Sequence, residues 1–192
     1  METEIKVLRS LLESRAEKGH TIVEISARTG SDYKIVHTAI ERLAGKGLLA
    51  KRRVGKSIEV SLHDKFSEEI FEAEMERREE VLKSKDMKVM LNTIKENMGT
   101  ALFTLLLFGS HAKKAATKHS DIDLMLIVPD KSGLEKKAES VLSLIPLPLH
   151  PLIFTESQFR SMKNSREPSV VSEAITHNII LYGIEQYYEM IK

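Results

Sequence analysis

Two aspartates one residue apart, Asp121 and Asp123, open an apolar run that continues to Val128. On a strand, residues i and i+2 project from the same face. Two unpartnered carboxylates on one face of a buried strand cost several kcal/mol, on the order of the penalty for a buried ion. A divalent cation removes that cost, so the pair is a candidate metal site. Just upstream, the apolar run ending at Phe108 is broken by Gly109-Ser110. Such a turn can hold phosphate on its backbone N–H groups. The competing reading is a solvated turn ahead of an ordinary strand; the coincidence of the glycine–serine turn with the aspartate pair weighs against it.

Both features depend on the elements that carry them. The stretch after Gly99, ALFTLLLF, is apolar throughout and reads as a strand buried on both faces. A helix over His111–Thr117 would aim its N-terminus at the glycine–serine turn, where the helix dipole favours phosphate. The aspartate strand ends at Pro129-Asp130. Ser132-Gly133-Leu134-Glu135 reads as a capping box that starts a helix to about Leu144. LHPLIF reads as an edge strand because of Pro151. Phe154 to Phe159 combines a capping box with a hydrophobic staple. A helix led by Pro168 runs to about Asn178, Ile179–Tyr182 is short and apolar, and Gly183 precedes a last helix with Tyr187 and Tyr188.

The run Gly109-Ser110-His111-Ala112, eight further residues, then Asp121-Ile122-Asp123 resembles the nucleotidyltransferase superfamily related to DNA polymerase beta. The likeness is greatest to its minimal archaeal and bacterial members. It implies that Gly109 and Ser110 hold nucleotide phosphates, and that Asp121 and Asp123 are the catalytic pair that holds Mg2+. The substrate would be a nucleoside triphosphate, whose nucleoside monophosphate passes to a hydroxyl of a protein or small molecule. Some members neutralise a partner toxin by adding AMP. Lys113-Lys114 stands where many relatives have Arg-Gly, and Lys113, Lys114 and Lys118 supply charge for the triphosphate; the alternative is an exposed helix face. Ser120 joins this nucleotide-binding set, capping or orienting the aspartate strand. The family usually places a third carboxylate on a following strand. The matching strand here, Leu149–Phe154, carries His150 and Pro151, and the nearest acid is Glu156. His150 either substitutes as a base or is ordinary surface. Two expectations result: an active nucleotidyltransferase, or a transcription regulator that senses nucleotide after losing catalysis.

The first third of the chain has a different pattern. Ile5, Leu8, Leu11 and Leu12 predict a helix over about Thr3–Arg15. Thr21 to Glu24 is a capping box for a short second helix, stopped near Thr29-Gly30. Ser31 or Asp32 caps a third, with Val36, Ala39, Ile40 and Leu43 inward. A hairpin follows, turning at Val54-Gly55-Lys56-Ser57. This order resembles a winged helix-turn-helix. The resemblance implies double-stranded DNA as partner, with Tyr33, Lys34, His37 and Thr38 toward the bases or sugars. Lys51, Arg52, Arg53 and Lys56 would contact phosphates from the wing. The alternative is a wing that docks a protein or a second copy of the chain. Residues 65–98 follow with sparse apolar positions (Phe66, Ile70, Ala73, Val81), read as a solvated connecting helix or a homodimer contact. A second amphipathic stretch there buries Met87, Met90, Leu91, Ile94 and Met98.

The chain has 192 residues, 42% hydrophobic and 30% charged, with no cysteine. Disulfides and thiolate metal sites are excluded. No apolar run of transmembrane length and no signal peptide are present, so a cytoplasmic location is expected and no membrane partner. Net charge is only +1, but residues 1–64 hold 12 Lys/Arg against 9 Asp/Glu, and residues 65–83 hold 4 against 7. The expected class is α+β: an N-terminal winged helix-turn-helix DNA-binding domain (1–64), a helical linker (65–98) and a nucleotidyltransferase-like mixed sheet with flanking helices (99–192).

Overall fold

The structure, a computed structural model, describes every residue except 16, 18, 118, 132 and 166. The chain forms two compact units, Met1–Glu76 with Lys192, and Arg77–Ile191.

In the first unit, α1 (Glu2–Glu13) buries Ile5, Val7, Leu8, Leu11 and Leu12. A two-residue strand, β1 (His20–Thr21), leads into α2 (Ile22–Thr29). Thr21 Oγ1 accepts from Glu24 N at 3.2 Å, and Glu24 Oε2 accepts from Thr21 N at 2.7 Å, closing both halves of the capping box. Gly30 ends α2 in the left-handed region, φ 61°. Asp32 then caps α3 (Tyr33–Gly45) through Lys34 N, 2.8 Å. The buried side of α3 is Val36, Ala39, Ile40 and Leu43. Strands β2 (Leu49–Val54) and β3 (Ser57–Leu62) pair antiparallel around Gly55-Lys56, and β1 adds to β3. The β1 pairing carries no sequence signal, because two residues have no period to read.

Helix α4 (Glu68–Val81) contains the division between the units. It is less solvated than its composition suggests: Ile70, Ala73, Glu74 and Arg77 are all buried. An Arg77 Nη atom donates to the Asn178 carbonyl, which accounts for part of that burial.

The second unit centres on a four-stranded sheet of order β6-β5-β4-β7. Its elements are α5 (Lys85–Asn97), β4 (Thr104–Leu107), α6 (Gly109–Ala112), β5 (Ile122–Val128), α7 (Leu134–Leu142), β6 (Leu149–Thr155), α8 (Glu156–Lys163), α9 (Val170–Thr176), β7 (Ile179–Tyr182) and α10 (Ile184–Ile191). Strand β5 is parallel to β6 and antiparallel to β4; β4 is antiparallel to β7. Leu105, Leu107, Leu124 and Leu126 face a cluster with Met90, Leu91, Ile94, Ala138 and Val141. Leu106, Met125 and Ile127, on the opposite face, are buried as well. Two central strands covered on both sides explain the unbroken apolar runs. No helix among the described residues is long and apolar enough to cross a membrane.

Several expectations are corrected. The helix expected over His111–Thr117 is a single turn, α6, closed by Lys114 at φ 55°. Leu107 pairs with Leu124, so the chain must return to the place where it left the sheet. A longer helix would carry it away. Asp121 lies one residue ahead of β5 rather than within it. Strand β4 begins at Thr104, not after Gly99. Helix α9 is capped by Ser169, whose Oγ accepts from Ser172 N, so Pro168 lies outside it. The capping serine expected at Ser132 is outside the described residues; Gly133 occupies the N-cap of α7. Strand β6 is at the sheet edge, as Pro151 suggests. The Pro148 carbonyl accepts from Ile122 N at 2.8 Å, so by alternation Pro151 turns its missing donor to the free edge.

Candidate nucleotide and metal site

The backbone puts the glycine turn and Asp123 together. Phe108 N donates to the Asp123 carbonyl, 3.0 Å, just beyond the last ladder pair of β4 and β5. The next residue, Gly109, takes φ 65°. A Cβ built on Gly109 would fall 2.0 Å from Asp123 Oδ2 and 2.8 Å from its Cγ. The Asp123 carboxylate therefore rests in space that only glycine leaves open, and a left-handed φ adds a second reason for glycine there.

The other carboxylate oxygen meets a residue from the neighbouring strand. In the parallel register Asp123 lies opposite His150, and His150 Nδ1 is 3.0 Å from Asp123 Oδ1. Pro151 restricts the backbone of His150 to extended conformations, which keeps it on the strand. The aspartate is thus fixed from two sides, by a turn before β5 and by a ring from β6. Asp121 stands exposed at the start of this arrangement.

The remaining members of the expected set divide. Ser110 is partly buried, and its carbonyl accepts from Ala115 N, 2.9 Å. His111 Nε2 is buried without a hydrogen-bond partner among the described residues. Lys113 pairs with Glu173 of α9 at 2.8 Å, and Lys114 lies 3.7 Å from Glu80. These two acids were not legible as partners, being far away in sequence. Ser120 Oγ accepts from Thr117 N, 2.9 Å, so the hydroxyl closes the turn into β5. Lys118 lies outside the described residues. With α6 only four residues long, the expected helix-dipole contribution at the turn is lost.

Among the described residues no three His, Cys, Asp or Glu side chains gather into a metal-holding group. That donor set still suits Mg2+ brought in with a polyphosphate. Magnesium is commonly held by one or two carboxylates, with phosphate oxygens and water completing its shell.

In the first unit, Tyr33, Lys34 and Thr38 are exposed on α3, and His37 is partly so. The Tyr33 and His37 rings are 6.1 Å apart. On the hairpin, Lys51 donates to Glu41 of α3 at 2.6 Å and holds that carboxyl below its ordinary range. Arg52 pairs with Glu59 at 2.7 Å across the hairpin. Arg53 Nε is 3.4 Å from the Gly55 carbonyl, and Lys56 is exposed at the tip. Sequence reading set the four wing cations against Glu59 alone and missed Glu41, which engages Lys51 from α3.

A family model described as "Polymerase beta, Nucleotidyltransferase" matches residues 91–187. No curated protein and no solved structure matches the chain.

Proposed function

The chain belongs to the polymerase beta nucleotidyltransferase family, and from that premise we propose that its second unit binds a magnesium–nucleoside triphosphate and transfers the nucleoside monophosphate to a hydroxyl. The observation that carries this reading is the Asp123 carboxylate pressed against the Gly109 turn. Polyphosphate on the turn's backbone N–H groups would lie beside a carboxylate able to share its counter-ion. Asp121 and Asp123 would hold the ion, which when bound neutralises phosphate charge. Gly109 and Ser110 would orient the β and γ phosphates. In the transfer, the acceptor hydroxyl gives up its proton to solvent, its oxygen bonds to the α-phosphorus, the bond from that phosphorus to the bridging oxygen breaks, and pyrophosphate leaves. The acceptor hydroxyl belongs to a protein or a small molecule.

The first unit, on this proposal, is a winged helix-turn-helix that binds double-stranded DNA. Its helix order, the exposed residues of α3 and the basic hairpin support the reading. The minimal archaeal and bacterial members remain the proposed relatives, and the cytoplasm the proposed location.

A second reading has its own support. Strand β6 carries no carboxylate, and His150 stands where it meets Asp123. On that reading the unit senses nucleotide without turning it over and the protein regulates transcription. Labelled ATP incubated with the protein, Mg2+ and cell extract separates the two. Label transfer that disappears in Asp121→Ala plus Asp123→Ala supports the enzyme. DNA binding that shifts with nucleotide, with no label transferred, supports the regulator.

A further inference from the structure

The contact between His150 and Asp123 has the dimensions of a chelate. Two donors in neighbouring octahedral positions, each about 2.1 Å from one ion, stand about 3.0 Å apart. His150 Nδ1 and Asp123 Oδ1 are 3.0 Å apart. The spacing of the two donor atoms already suits one cation in place of the proton between them, with the imidazole turning to aim its lone pair at the ion. Access is open, since the His150 side chain is 63% exposed and that of Asp123 24%. The pair is also held in place: the strand register sets the two residues opposite each other, and Gly109 backs the second oxygen of Asp123.

From this geometry we infer that His150 is a metal ligand alongside Asp123, so that the site prefers a first-row divalent cation, with Mn2+ as its probe, to Mg2+. The inference rests on the metal–nucleotide reading and narrows it. Magnesium is a hard ion served by oxygen; an imidazole nitrogen adds more to the binding of a first-row ion. Phosphate oxygens and water supply the remaining positions. The other explanation of the contact is a plain hydrogen bond between ring and carboxylate, which would leave no nitrogen on the ion.

The full-length protein is titrated with Mn2+, in the presence and absence of inorganic triphosphate. Bound ion is followed by electron paramagnetic resonance, and Mg2+ is added as competitor. Pulsed spectra then report whether nitrogen is coordinated. The expected wild-type result is bound Mn2+ with nitrogen modulation, displaced only by a large excess of Mg2+. His150→Asn should lose the modulation, and His150→Asp should keep ion binding while the preference for Mn2+ over Mg2+ shrinks. Melting curves confirm that these exposed substitutions leave the fold intact. Binding that is lost in Asp123→Asn but shows no nitrogen modulation in the wild type overturns the ligand role and leaves the metal–nucleotide reading standing. Failure of the wild type to bind either ion, even with triphosphate, overturns both.

Discussion

A methyl group on Gly109 would have to displace the Asp123 carboxylate, whose Oδ2 is 2.0 Å from where the new carbon would sit. A methyl on Gly183 meets something less yielding: the Phe103 carbonyl oxygen at 2.6 Å and Thr104 Oγ1 at 2.8 Å, with φ 78°. The two substitutions should therefore fail differently. An aspartate can swing its far end away, so Gly109→Ala is expected to abolish metal–nucleotide binding while costing about 1–2 kcal/mol of stability from left-handed strain. Gly183→Ala forces backbone apart where β7 hands over to α10, and is expected to cost about 3 kcal/mol or more. It should spare ion binding in whatever fraction stays folded. Gly133→Ala is the control: φ is 89° but nothing among the described residues lies within 4 Å of the added carbon. Denaturant melts of the three variants beside Mn2+ titrations test the ranking. Equal loss of binding and stability in Gly109→Ala would remove the special role given to that glycine.

At the scale of elements, the wing shows what a charge count omits. Four cations line the hairpin, but Lys51 is engaged by Glu41 and Arg52 by Glu59. A cation that already has a carboxylate partner releases fewer counter-ions on meeting a phosphate. If this unit binds DNA, Arg53→Ala plus Lys56→Ala should lower the slope of log affinity against log salt by about two. Arg52→Ala alone should lower it by well under one. Salt-dependent retention on duplex DNA measures both, and no change in any variant would leave the wing to protein docking. The same distinction separates what could be read in the sequence from what could not. The capping boxes at Thr21/Glu24 and Thr155/Gln158 were legible because each is completed within four residues. The inward stripe of α3 and the apolar runs of β4 and β5 were legible because period reports burial. The Gly109–Asp123 approach was half legible: the spacing pointed to a turn beside an acid, but the contact needs the β4–β5 register. The hairpin turn read at Val54–Ser57 already set Arg52 opposite Glu59, but the His150–Asp123 and Lys113–Glu173 pairs were not legible as contacts. Each joins separate elements, and only the folded register makes them neighbours. The length of α6 failed for a related reason: local propensity favoured a longer helix, and the antiparallel return to β5 overruled it.

For the molecule as a whole, charge is nearly balanced, and acid stability depends on particular carboxylates. The clearest lies where the end of α3 meets α4. Lys46 donates to Glu69 and, with the Glu69 N–H and Ser67, holds the Glu69 carboxyl down to about 2 from an ordinary value of 4.5. A depressed carboxyl stabilises the fold while it is ionised. Its contribution is complete above about pH 4.5, where the unfolded chain is ionised too, and disappears as pH falls from there through about 2. Glu69→Gln removes the charge at every pH. The variant should melt below the wild type at about pH 6, with the gap closing between pH 4.5 and 2 and absent at the acid end. Because Glu69 belongs to the unit Met1–Glu76, the difference should appear in amide exchange from α1 and α3 and leave β4 and β5, in the other unit, unchanged. A gap that stays constant down to about pH 2 would mean that the substituted amide disturbs packing and that the Lys46 interaction does not govern the acid limb. A loss of protection spread evenly over both units would mean that they open together, and that the acid response belongs to the entire chain.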